Sequence, residues 1–157
     1  MLPAAAQRFL DAATALGLEI AIRTHDQPTR SAEDAAAACG CDVAQIVKSL
    51  VFRGQRSGKP YLLLVSGRNR VDEAGVAAHI GESLRRPDAA DVRALTGFAI
   101  GGIPPFGHAE RLDTLIDPDL MAFDSVWAAA GTPNTVFAVS PVRLAKVTGA
   151  RTVGMTG

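Results

Sequence analysis

The sequence predicts a single α/β domain of the α+β kind, residues 1–157, with a curved mixed β-sheet flanked by helices. Three observations predict it. Short segments of helical and of strand patterning alternate along the chain, without the strict strand–helix regularity of a doubly wound sheet. The run Tyr61-Leu62-Leu63-Leu64-Val65 is apolar throughout, the mark of a central strand buried on both faces. The length, 157 residues, suits one core, since domains commonly hold about 100–200 residues.

Residues 3–18 read as a helix, with Phe9, Leu10, Ala13, Leu16 and Leu18 near helical spacing and Gly17 near the end. Residues 19–23 form a short apolar run that suits a strand, and 24–28 carry turn chemistry. Ser31 is placed as an N-cap, with Glu33 and Asp34 in the first turn and Gly40 as C-cap. Asp42 then caps a short helix over 43–47, which sets Lys48 at its end, just before a strand over 50–53. That strand and 60–66 form a hairpin across the turn residues Gly54, Ser57 and Gly58. Further helices are expected over 71–80 and 88–95, with a short strand between them at 84–87. A strand over 112–116 leads into the turn Asp117-Pro118-Asp119, and 121–127 continue irregularly. Residues 135–139 alternate as a strand, and Ser140-Pro141 opens a last helix that Gly149 ends.

Hydrophobic residues make up 48% and charged residues 20%, a globular balance rather than a disordered one. Sixteen Lys and Arg offset sixteen Asp and Glu. A net charge of zero excludes a protein that grips nucleic acid by bulk charge, and leaves room for a local patch that meets only an RNA end. Cys39 and Cys41 are too few for a four-thiolate zinc site, and the three histidines lack metal-ligand spacing, so no metal and no cofactor are expected. No signal peptide and no membrane span are legible, so the expected location is the cytoplasm, with no membrane partner.

The loop 101–108, Gly-Gly-Ile-Pro-Pro-Phe-Gly-His, concentrates residues that shape a backbone. Glycine admits close approach and proline stiffens, so the loop is either a tight connection or a rigid presenter of N–H groups to an oxyanion. Lys48, between apolar segments, either snorkels to water or aims its ammonium into a cleft. Ser66 stands at a strand end, and there is no Gly-x-Ser-x-Gly elbow. Arg68 and Arg70 follow the buried strand; they are ordinary surface or, beside a cleft, contacts to RNA phosphates.

Four stretches, in order, resemble the YbaK / prolyl-tRNA-synthetase-associated editing superfamily. Residues 35–53 (AAAACGCDVAQIVKSLVFR) resemble the segment that carries its key lysine, and 62–71 (LLLVSGRNRV) its buried strand and following turn. Residues 101–105 are similar to its G-x-x-x-P loop, and 131–144 (GTPNTVFAVSPVRL) to its glycine turn, last strand and closing helix. The resemblance implies a trans-editing hydrolase that cleaves the ester between a small wrong amino acid and the 3′ acceptor end of a tRNA, often that for proline. It implies no metal and no side-chain nucleophile. Prolyl-tRNA synthetase would be a transient partner. Lys48 and Gly101 take the catalytic places. Gly102, Ile103, Pro105, Phe106, Gly107 and His108 are the expected substrate-binding part of the loop, with Ser49 and Ser66 beside the lysine. Some relatives carry a histidine in the C-terminal glycine turn; here Thr132 or Asn134 takes that place. The alternatives are a binding module for tRNA ends or small aminoacyl compounds that does no chemistry, and a small hydrolase or redox protein using Cys39 and Cys41.

Overall fold

The structure is a computed structural model and describes residues 1–156. Its frame is an eight-stranded mixed sheet. Helix α1 (Ala4–Ala15) buries Ala6, Phe9 and Ala13. Strand β1 (Ile22–Thr24) follows, shorter and later than the predicted run at 19–23. In α2 (Ala32–Cys39) the Ser31 hydroxyl accepts from Asp34 N at 3.0 Å, and Gly40 closes the helix in the left-handed region. Asp42 and Gln45 form a reciprocal capping box around a single 3-10 turn, Val43–Gln45. That turn ends before Lys48. Strand β2 runs from Ile46 to Gly54, so Lys48 is its third residue and does not end a helix, as the sequence reading had it. The cause is the β-branched and apolar run Ile46-Val47 before it, which pairs in the sheet.

Strand β3 (Pro60–Ser66) pairs antiparallel with β2 in the predicted hairpin, Lys48 opposite Val65 and Ser49 opposite Leu64. Helix α3 (Glu73–Ile80), β4 (Leu84–Arg85), α4 (Ala89–Thr96) and β5 (Asp113–Ile116) follow close to their expected positions. Two strands were not expected. The stretch read as irregular contains β6 (Val126–Ala129), and β8 (Arg151–Thr152) lies beyond the last helix. Between these two come β7 (Thr135–Val139) and α5 (Pro141–Thr148).

The strand order is β1-β7-β6-β2-β3-β5-β8, with β4 on the edge of β2. Three pairings are parallel, β2 with β6, β3 with β5, and β5 with β8; the rest are antiparallel. Strand β3 is buried on both faces, and its alternation divides the interior. Leu62 and Leu64 join the larger core with Phe9, Val92, Leu95, Phe137 and Leu144, under α1, α4 and α5. Leu63 and Val65 join the smaller one with Phe52 and Val76, under α3.

One feature of this sheet positions the site. Strand β6 pairs with β2 only at Ile46 and Val47, and β4 only at Arg53 and Gly54. Between them, residues 48–52 have β3 on one edge and, among the described residues, no strand on the other. The sheet therefore opens beside Lys48.

Candidate active site

A cleft of about 340 Å³ occupies that opening. Lys48, Ser49 and Leu50 of β2 form one wall, and Trp127, Ala128 and Ala129 of β6 form another. The start of α2 (Thr29, Arg30, Ser31) and the turn at Thr132 and Pro133 close it. Gly101 and Ile103 come from the glycine–proline loop, with Ile100, 60% exposed, beside them. The lining is mostly apolar, with Arg30, Lys48 and several hydroxyl side chains among it, and the volume is at the small end for ligand sites, about 300–1,000 Å³.

The Lys48 ammonium donates to the main-chain oxygen of Asn69. Asn69 is itself held: its amide nitrogen donates to Asp117 Oδ2 and to Asp119 Oδ2, each at 2.8 Å. Asp117 is 1% exposed and also accepts from Ser66 N (3.1 Å) and Asp119 N (2.9 Å). A buried carboxylate with these donors ties the end of β3 to the turn that holds the lysine. Burial lowers the pKa of Lys48, and Arg70 lowers it further; Glu33 and Asp117 oppose them. The site thus holds a cation whose charge is less secure than that of a surface lysine.

The loop 101–108 divides. Gly101 and Ile103 face the cleft, and Gly101 has φ of 100°, a conformation that favours glycine. Gly102 is buried behind them: a Cβ there would lie 2.6 Å from Thr132 Cα, so only hydrogen lets the loop and the 132 turn touch. Pro105, Phe106, Gly107 and His108 do not join the Lys48 cleft. They line a separate open depression with Leu112 and Thr148. Phe106 packs in the core against Phe9 (4.7 Å) and Phe137 (6.1 Å). His108 Nε2 bonds to Pro104 O at 2.7 Å, and burial pushes its pKa down, so it serves as a neutral brace of the loop. The sequence could not divide the loop because tertiary contacts divide it, Gly102 against Thr132 and Phe106 against Phe9 and Phe137.

The other expected residues divide as well. Thr132 lines the cleft, whereas Asn134 spends its amide on His25 O at 3.1 Å. Ser66 stands away from the cleft lining, its hydroxyl donating to Ala44 O at 2.7 Å. Arg68 is paired to Asp42 at 2.8 Å, while Arg70 is exposed and close enough to Lys48 to shift it. Sequence reasoning missed the β6 wall, the start of α2, and the Asn69–Asp117 brace. The period-two run Val126-Trp127-Ala128-Ala129 was the available signal for the first. Cys39 and Cys41 are free thiols; burial pushes Cys39 up to about 11 and raises Cys41 as well, the direction that disfavours the thiolate. Among the described residues no cluster of His, Cys, Asp or Glu could hold a metal, and no helix is long and apolar enough to cross a membrane.

This geometry has known counterparts. A crystal structure assigned provisionally as a trans-editing enzyme for prolyl-tRNA synthetase superposes with a TM-score of 0.95, at 42% identity over 100% of this chain and 99% of that one. The Ser/Thr-tRNA deacylase ProXp-y of Escherichia coli K12 is 30% identical over 131 residues, 80% of this chain and 77% of that protein. The uncharacterized protein YwhH of Bacillus subtilis is 31% identical over 114 residues, 73% and 72% of the two chains. The profile of the aminoacyl-tRNA editing domain matches residues 26–147, which span the cleft from the start of α2 to α5. The chain belongs to the aminoacyl-tRNA editing domain family.

Proposed function

We propose that the cleft hydrolyses the ester of a mischarged tRNA in trans, with tRNA for proline carrying a small wrong amino acid as substrate and prolyl-tRNA synthetase as a transient partner. The observation that carries this reading is that Lys48 and Gly101 line one small, mostly apolar cleft at the break in the sheet. An aminoacyl ester is already activated, so placement and charge stabilisation suffice for catalysis. The Lys48 ammonium exchanges the Asn69 oxygen for the ester end of the substrate. The main chain at Gly101 and Ile103 faces the carbonyl oxygen as negative charge develops on it. Water attacks the carbonyl carbon, the bond to the ribose oxygen breaks, and that oxygen leaves with a proton as the free 3′-hydroxyl. No protein nucleophile is needed: the hydroxyl of Ser66 is committed to Ala44 O, and Cys39 is held protonated.

The test is deacylation of tRNA for proline charged with each small amino acid, with other tRNAs as controls. Lys48→Ala is expected to lower the rate by about 10²–10³-fold, the scale of losing one charge-stabilising group. Full activity in that variant would remove Lys48 from the reaction. Saturable binding with no turnover of any mischarged tRNA would favour a pure binding module.

A further inference from the structure

Four cationic side chains lie over aromatic rings among the described residues, and three of them have other partners. Arg8 donates to Gly97 O (2.9 Å), Lys59 pairs with Asp113 (3.1 Å), and Arg86 pairs with Glu73 (3.3 Å). The fourth is Arg23, whose guanidinium carbon stands 4.6 Å from the ring centre of Trp127. Arg23 is exposed on the edge strand β1, and its guanidinium has no hydrogen-bond or ion-pair partner among the described residues. Trp127 is the only tryptophan of the chain, is half-buried, and is the only aromatic residue lining the cleft among the described residues. The sheet register puts this pair on the lysine's side. Paired residues of neighbouring strands share a face, as do residues two apart along one strand. Trp127 pairs with Ile46, two residues before Lys48; Ala129, two after Trp127, pairs with Val136, which pairs with Arg23. Lys48, Trp127 and Arg23 therefore project from one face of the sheet, while Val47, Ala128 and Phe137 turn to the other, into the larger core.

We propose that Trp127 and Arg23 form a seat for the terminal nucleobase of the RNA end, which stacks against the indole–guanidinium pair while the ester lies at Lys48. This rests on the deacylase reading above. A base in a single-stranded end has a bare π-face, and proteins meet such faces with aromatic rings and with the plane of an arginine. Strand spacing sets the Lys48 and Trp127 Cα atoms about 8 Å apart, a span that a ribose bridges and a small aminoacyl group does not. A phosphate would engage the edge of Arg23 and leave the indole idle; a base uses both. An arginine held against a ring still presents its N–H edge, so Arg23 also donates to the ring nitrogens of a stacked base. Both side chains are positioning residues in this reading: they fix the nucleoside, and with it the place of the ester.

The single tryptophan makes the test direct. An acceptor-stem RNA hairpin carrying a non-hydrolysable aminoacyl amide is prepared with its terminal base intact or removed, and each form is titrated into the wild-type protein. Calorimetry reads the affinity and Trp127 emission reads the contact. The intact RNA is expected to bind about 5–100-fold more tightly than the abasic one, and to change the emission where the abasic one does not. Equal affinities with equal emission would overturn the proposal. On mischarged tRNA, Trp127→Leu should raise KM about 5–100-fold with kcat within about threefold, and Trp127→Phe should recover most of that loss. Arg23→Gln, an exposed change on an edge strand, should raise KM about 3–5-fold. Wild-type KM in both Trp127→Leu and Arg23→Gln would overturn the proposal, as would equal losses in Trp127→Leu and Trp127→Phe, which would mark a packing role. A wild type that tells the intact RNA from the abasic one yet deacylates no mischarged tRNA would uphold the base seat and sink the deacylase reading.

Discussion

At the scale of single residues, the balance of charge around Lys48 is the most exposed part of the reading. Its pKa is lowered first by burial, then by Arg70, against the pull of Glu33 and Asp117. If the ammonium form works, activity falls as pH rises through that lowered pKa, earlier than an ordinary lysine would allow. Two exposed neighbours then shift the alkaline limb in opposite directions. Arg70→Gln removes a repelling charge and should move it to higher pH; Glu33→Gln removes an attracting one and should move it to lower pH. Enzyme-dependent deacylation rates across the alkaline range, with spontaneous ester hydrolysis subtracted, check this. Parallel shifts, or none, would mean that another group sets the limb. Asp117 acts one step further back. Asp117→Ala strands the main-chain donors of Ser66 and Asp119 and removes one of the two acceptors of the Asn69 amide. Hydrogen bonds to a charged acceptor contribute about 1.5–3 kcal/mol each, so urea unfolding should show a loss of at least about 2 kcal/mol. None of this brace was legible in the sequence, because Asn69 and Asp117 are 48 positions apart and meet only when β3 and β5 pair.

At the scale of elements, legibility followed local chemistry. Helix caps at Ser31 and Ser140 and the left-handed closures at Gly40 and Gly149 lie where the residue types put them, because a cap is decided within four residues. Strands β6 and β8 escaped, being only four and two residues long: β8 is held by a parallel partner, and β6, between antiparallel β7 and parallel β2, offered only a short period-two run. The β2–β3 hairpin carries a device of its own. Glu82, arriving from beyond α3, accepts from Arg56 N (3.0 Å), Ser57 N (2.9 Å), Ser57 Oγ (2.6 Å) and Tyr61 OH (3.3 Å). The Ser57 hydroxyl and amide, above all, hold its carboxyl down at about 2. A carboxylate with a depressed pKa stabilises the fold above its ordinary value near 4.5, and the contribution is lost as pH falls toward about 2. Glu82→Gln should therefore be less stable than the wild type in urea at pH 7, and the gap should close as the two are compared at pH 4, 3 and 2. A gap that persists at pH 2 would mean that the clamp does not depend on the charge. The 102–132 contact is tested similarly. Gly102→Ala forces a methyl onto the Thr132 backbone and should cost about 1–3 kcal/mol, whereas Gly154→Ala, with open space around its Cβ, should cost far less.

At the scale of the whole molecule, sixteen positive and sixteen negative side chains cancel, and the structure shows where the cancellation is local. Arg53, Arg68, Arg86 and Arg151 each pair with a carboxylate, as does Lys59. Arg30 lines the cleft and Arg70 acts on Lys48; both are exposed, and neither has an ion-pair partner among the described residues. The sequence alone grouped Arg70 with Arg68 and passed over Arg30, because pairing is a property of the fold. If an RNA end enters this cleft, its phosphates meet these two arginines while Lys48 holds the ester, two phosphate-binding cations in a neutral molecule. A single-stranded end that releases about 0.7 counterions per neutralised phosphate gives a slope near −1.4 for log K against log salt. Affinity for a non-hydrolysable aminoacyl-tRNA analogue should then fall about 7-fold between 50 and 200 mM salt, as read by fluorescence anisotropy. Removing both arginines, as Arg30→Gln with Arg70→Gln, should flatten the slope by about 1.4, whereas Arg68→Gln should leave it nearly unchanged because its charge is already matched by Asp42. An unchanged slope in the double variant would mean that the RNA reaches Lys48 from another side, and the rim formed by the start of α2 would lose its place in the site.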